Sequence, residues 1–104
     1  MTAELSEEDL QARILQAAEL YGWRVAHFRP ARTAKGWRTP MSGHPGFPDL
    51  VLARDGVVIL AELKSRRGQP TPSQDLWLEA LGHHARLWRP ADWPAIQNEL
   101  RRPR

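Results

Sequence analysis

The chain has 104 residues, 41% of them hydrophobic and 26% charged, with a net charge of +3 and no cysteine. That length supplies one domain, spanning 1–104, and its hydrophobic share excludes a disordered tail, although so small a core gains from oligomerisation. The missing cysteine excludes disulfides and zinc–thiolate sites and fits a reducing compartment.

Ser6-Glu7-Glu8-Asp9 opens the first predicted element, with Ser6 as the N-cap and acids in the first turn of a helix. Leu10, Ile14, Ala17, Ala18 and Tyr21 recur at helical spacing, and Gly22 stops the helix. Trp23 to Phe28 is expected to be a strand. Residues 29 to 48 hold Pro30, Pro40, Pro45 and Pro48 with Gly36, Gly43 and Gly46, and are expected to form a long loop, which in a compact domain is functional or disordered. No acid stands between Gly22 and Pro48, against Arg24, Arg29, Arg32, Lys35 and Arg38. Such a segment suits a polyanion such as nucleic acid. The plainer reading is a solvated loop from an arginine-rich proteome.

Asp49-Leu50-Val51-Leu52-Ala53-Arg54 and Val57 to Lys64 are two β-like runs. Asp55-Gly56 between them signals a two-residue hairpin. Counting outward pairs Arg54 with Val57, Ala53 with Val58, Leu52 with Ile59, Val51 with Leu60, and Asp49 with Glu62. Opposed side chains stand about 5 Å apart on one face. Lys64 shares that face because it lies two residues beyond Glu62. Two acids and a lysine at the mouth of a hairpin suit a divalent metal and phosphate chemistry. Taken singly, Asp49 could be a strand-entry cap, and Glu62 and Lys64 an exposed face.

Arg66-Arg67-Gly68-Gln69-Pro70 ends the hairpin. Thr71 caps a second helix with Pro72 at its first position, and Gln74 completes a capping box. Leu76, Trp77, Ala80 and Leu81 are expected to give that helix an apolar stripe, and Gly82 ends it. Ala85 to Arg89 is a short strand. Asp92 caps a last helix with Trp93, Ile96 and Leu100 inward. The order is helix, strand, hairpin, helix, strand, helix: an α/β sandwich with a mixed sheet flanked by helices. The second helix links the hairpin to the final strand as a crossover would.

Gly46-Phe47-Pro48-Asp49-Leu50, Ala61-Glu62-Leu63-Lys64 and the stretch Gly68 to Gln74 together resemble the PD-(D/E)XK nuclease superfamily. Within it, they are similar to the small VRR-NUC type found alone in phages and bacteria. Trp88-Arg89-Pro90-Ala91-Asp92 is similar to that family's usual ending, so the resemblance spans nearly the whole chain. It implies a restriction-endonuclease-like α/β sandwich. It also implies that Asp49 and Glu62, with the Leu63 carbonyl, ligate Mg²⁺ or Mn²⁺, for which oxygen donors are suited. Lys64 would orient or stabilise the attacking hydroxide and offset phosphate charge. Gln74 would lie beside the site, though its capping role alone would account for it. A helix-borne acid near the metals is implied too. Glu7 shares the face of Leu10 and Ile14, while Glu8 points about 100° away, so Glu7 is the expected one.

The expected function is therefore metal-dependent DNA endonuclease activity, selective for branched, flapped or four-way junction DNA, in a homodimer. Arg29, Arg32, Lys35, Arg38, Arg66 and Arg67 are the expected DNA contacts. Trp37, amid basic residues, suits base stacking or a fold back onto the core. His83 and His84 are adjacent and make a poor metal pair; His27 and His44 flank the basic loop. The rival reading is a nuclease-like fold that binds DNA or a protein without cutting. A toxin or restriction-like cutter of duplex DNA is a third. No apolar run reaches the about 18 residues of a membrane span, and Met1-Thr2-Ala3-Glu4 is no signal peptide, so a cytoplasmic location away from membranes is expected.

Overall fold

The structure, a computed structural model, describes residues 5–28, 31–33, 36–38 and 42–103, with the backbone alone for 31–33 and 36–38. The first helix, α1 (Glu7–Leu20), starts where the sequence predicts. Ser6 Oγ accepts from Asp9 N, and the Asp9 carboxylate accepts from Ser6 N, closing a capping box. Gly22 follows at φ +81°, a conformation that favours glycine. Strand β1 (Arg24–His27) comes next.

The expected loop is not wholly irregular. It contains β2 (Ala31–Thr33) and β3 (Gly36–Arg38), an antiparallel pair pairing Ala31 with Arg38 and Thr33 with Gly36. Strands this short carry no readable alternation, so proline and glycine dominate the sequence signal there.

Strands β4 (Leu50–Arg54) and β5 (Val57–Leu63) form the hairpin in the predicted register, from Arg54–Val57 at the turn to Leu50–Ala61. Asp55 and Gly56 both have positive φ, 51° and 81°, as a primed turn requires. Helix α2 (Pro72–Leu81) then leads to β6 (Ala85–Trp88), which pairs in parallel with β5, and α3 (Trp93–Arg101) closes the chain. The result is a mixed α/β fold with a four-stranded sheet in the order β1-β4-β5-β6. Among the described residues, no helix is long and apolar enough to cross a membrane.

One face of this sheet carries the core. Leu50, Leu52, Ile59, Ala61, Leu63 and Trp88 are buried with Leu10, Ile14, Ala17 and Ala18 of α1 and Ile96 and Leu100 of α3. Alternation sends Asp49, Glu62 and Leu60 to the opposite face, where the N-terminus of α2 lies. That helix lies open to solvent along much of its length. None of its residues is buried, and Leu76 is 68% exposed. The apolar stripe of Leu76, Trp77, Ala80 and Leu81 is present but only part-covered, with Leu76 and Ala80 exposed. Helical periodicity tells that apolar residues share a side, not that a partner covers it.

Candidate active site

Asp49 enters β4 after a buried proline, Pro48. Gly46, at φ +92°, packs directly on the first turn of α2. A Cβ there would lie 2.6 Å from Ser73 C and 2.8 Å from Gln74 N, so glycine is required twice over. This contact fixes the segment 46–49 against the helix. Asp49 is held further by its own bonds. Its Oδ2 accepts from Leu63 N at 2.7 Å, and its carbonyl accepts from Phe28 N at 3.1 Å.

Glu62 is 2% exposed, the buried charged residue among the described ones. Its Oε2 accepts from Gln74 Nε2 at 3.1 Å and lies 3.5 Å from Lys64 Nζ. Its Oε1 is buried with no hydrogen-bond donor among the described residues. Asp49 stands near enough for its charge to act on Glu62, and a hydrogen bond between two carboxyls requires a proton on one of them. Burial pushes the Glu62 pKa up to about 8; the Asp49 charge and a shared hydrogen bond with Asp49 add to this, and Lys64 partly opposes it. Lys64 itself leaves the strand with its N–H bonded to Trp88 O at 3.1 Å.

Gln74 serves both roles considered for it. Its Oε1 accepts from Thr71 N at 2.8 Å and so completes the cap of α2, while its Nε2 holds Glu62. Thus Asp49, Glu62, Lys64, Gln74 and the Leu63 backbone meet in one place. Glu7 is nearby but differently placed from the inward orientation expected of it: its side chain is exposed. Partial burial and the Asp49 charge still raise its pKa, with Lys64 opposing, so it stands within electrostatic reach of the site. Among the described residues, no group of three or more acids, histidines or cysteines is gathered as for a metal.

Arg66 and Arg67 follow on an exposed loop beside Lys64. Arg29 and Lys35 lie outside the described residues, and of Arg32, Trp37 and Arg38 only the strand backbone is described. The histidines do not converge: His27 Nδ1 lies 3.2 Å from Gln11 Nε2, His84 Nδ1 lies 3.3 Å from Val58 O, and His83 stacks on His84.

Two features escaped sequence reasoning. Arg89 donates through one guanidinium nitrogen to Ser65 O at 2.8 Å, Gly68 O at 2.5 Å and Arg66 O at 3.4 Å, anchoring the arginine-bearing loop. Its partners are more than twenty residues away in sequence, so no local pattern announces the contact. An aromatic row also flanks the site. Phe28, Phe47 and Trp77 meet edge to face, with centroids 5.5 and 4.9 Å apart. Their closeness depends on β1, the 46–49 segment and α2 assembling together. No family model matches the chain, and no curated protein matches it either.

Proposed function

We propose that this protein is a metal-dependent DNA endonuclease that hydrolyses phosphodiester bonds on a restriction-endonuclease-like α/β sandwich, with a preference for branched, flapped or four-way DNA. The observation that carries the reading is Glu62: a buried carboxyl with one unpartnered oxygen, beside Asp49 and within reach of Lys64. An acid pair whose mutual repulsion Lys64 only partly offsets is chemically suited to a divalent cation. Asp49 and Glu62, with the Leu63 carbonyl, would hold Mg²⁺ or Mn²⁺. Such an ion, when bound, supplies Lewis-acid polarisation of phosphate and neutralisation of developing charge.

The chain's own groups do the rest. Gln74 Nε2 keeps Glu62 Oε2 in place, and Leu63 N does the same for Asp49 Oδ2. Lys64 Nζ can donate to a phosphate oxygen or to the attacking water. Arg66 and Arg67, with the basic segment before Pro48, offer contacts to neighbouring phosphates. A homodimer would present two such sites to a symmetric junction.

The rival reading, a non-cleaving DNA- or protein-binding module, draws support from the exposed Leu76 on α2. Incubating the purified protein with linear, flapped and four-way DNAs in Mg²⁺, Mn²⁺ or EDTA separates the two. Ion-dependent cleavage of the branched substrates is expected. Binding with no cleavage in either metal overturns the endonuclease and favours the module. Preferential cutting of plain duplex points to a restriction-like or toxin-like cutter instead.

A further inference from the structure

Beside the acids lies a groove between α2 and the loop before Asp49. Its walls are His44, Pro45, Ser73, Leu76, Trp77 and Ala80, and it encloses about 230 Å³. That is smaller than the roughly 300 Å³ at which drug-sized pockets begin. It suits one flat heterocycle rather than a protein domain.

We infer that this groove receives a single unpaired nucleobase of the DNA strand bound at the acid pair. The inference rests on the endonuclease reading and adds to it a reason for structure selectivity. Three observations support it. First, the groove and the acid site share a wall: Ser73 lines the groove, and the next residue, Gln74, bonds Glu62 at 3.1 Å. A strand with a phosphate at Glu62 brings an adjoining base to this wall. Second, the Trp77 ring is fixed in advance. Its Nε1 donates to His44 O at 3.2 Å, and the Phe47 ring packs edge-on against it. A ring held by its polar edge and by a neighbour is a ready stacking platform, with little left to order on binding. Third, Leu76 is 68% exposed on a helix that buries none of its residues, so the groove wall stands open to a ligand. Stacking tolerates any base, so such a groove would read the lack of pairing rather than sequence. A base in intact duplex reaches it only by being unstacked, whereas flaps and junction branch points supply one at low cost.

The test uses DNA with 2-aminopurine next to the expected cleavage position, in EDTA so that nothing is cut. Fluorescence and affinity are read on flap, junction and plain duplex, for the wild type and Leu76→Glu. Because Leu76 is already solvent-exposed, this variant leaves the core untouched. Trp77→Leu is the second variant, checked for folding by thermal melt. For unpaired probes, quenching by stacking is expected with the wild type. Leu76→Glu should abolish it and weaken flap binding about tenfold, the low end of one base stack. Duplex affinity should stay unchanged. Tight flap binding with no change in probe fluorescence overturns the groove's role while leaving the endonuclease reading standing. No binding to any DNA overturns both. If Leu76→Glu converts a dimer to a monomer without touching the probe signal, the groove's occupant is a second copy of the chain and the inference fails.

Discussion

Gln74 donates its side-chain amide to Glu62 while the oxygen of the same amide caps the helix on which it stands. One residue therefore ties the start of α2 to the buried acid. The two bonds can be separated by substitution. Gln74→Glu keeps an acceptor for Thr71 N, and glutamate is an equally good third residue of a capping box. It removes the donor to Glu62 and brings another carboxyl beside it. We expect helix content to be retained and cleavage to fall by a hundredfold or more, of the order seen on removing a positioned donor from an active site. Gln74→Ala loses both bonds and should cost about 1–3 kcal/mol of stability, as for a hydrogen bond to a charged or buried group. Full activity in Gln74→Glu would show that the amide serves the helix alone.

Glu62 gives the metal-free protein a distinctive pH dependence. Its folded-state pKa is raised to about 8 from 4.5. The folded state thus binds the proton more tightly than the unfolded chain does. Stability is greatest below about pH 4.5 on this account, and it falls as pH rises towards 8. The loss is on the order of a few kcal/mol at most, since one pKa unit corresponds to about 1.4 kcal/mol. Denaturant melts in EDTA between pH 5 and 8.5 should show the decline, and Glu62→Gln should flatten it. A wild type equally stable at both ends would mean that Glu62 does not hold its proton.

The same substitution tests the cation. Asp49→Asn and Glu62→Gln should each abolish cleavage and leave the fold intact, because Asn can still accept from Leu63 N and Gln can still accept from Gln74. Removing a carboxylate charge from the pair also removes repulsion. Mg²⁺ or Mn²⁺ should raise the melting temperature of the wild type, more at pH 8 than at pH 6, where the cation competes with the proton on Glu62. Both variants should lose that increment. An unaltered metal-dependent shift in both would remove these acids from the metal site.

Lys64 should divide chemistry from binding. Proteins that bind DNA spread their affinity over many phosphate contacts, so on the endonuclease reading Lys64→Ala should retain most binding and lose most turnover. Collapse of binding with turnover preserved at saturation would make Lys64 a phosphate anchor only.

Arg89 is placed to act through the loop it anchors. Lysine cannot reproduce the reach of a guanidinium across neighbouring carbonyls. Arg89→Lys should therefore loosen residues 65–68, raise KM and reduce the salt dependence of DNA binding, with kcat less affected. Joint replacement of Arg66 and Arg67 by Gln should have the same signature, and adding Arg89→Lys to that pair should then do little. A drop in kcat alone would place Arg89 in the chemistry rather than in the support of the loop.

What could be read from the residues divides by range. The Asp55-Gly56 turn left no freedom in the hairpin, so the ladder and the meeting of Asp49 with Glu62 followed by counting. The Ser6 cap and the Thr71-Gln74 capping box were legible because each lies within one turn; that Asp9 bonds back to Ser6 N was added by the structure. Glu7 illustrates the limit: periodicity gave its azimuth around α1, but its burial depends on how far the sheet extends beneath the first turn. The apolar stripe of α2 was legible in the same way, whereas its exposure was not. The contacts of Arg89 and the Phe28–Phe47–Trp77 row depend on distant segments meeting, which no window of sequence contains.

At the opposite end of the hairpin, Arg54 packs over the Trp23 ring and donates to the carbonyls of Tyr21, Leu100 and Arg102. Trp23 Nε1 also donates to Leu100 O, at 2.8 Å. A strand slipped by one residue would turn every side chain to the wrong face. Arg54 would then lose Trp23 and those carbonyls, at the same moment that Asp49 swung away from Glu62. The arginine far from the acids thus proofreads their alignment: a misthreaded hairpin is penalised at its tip by bonds that need no ligand.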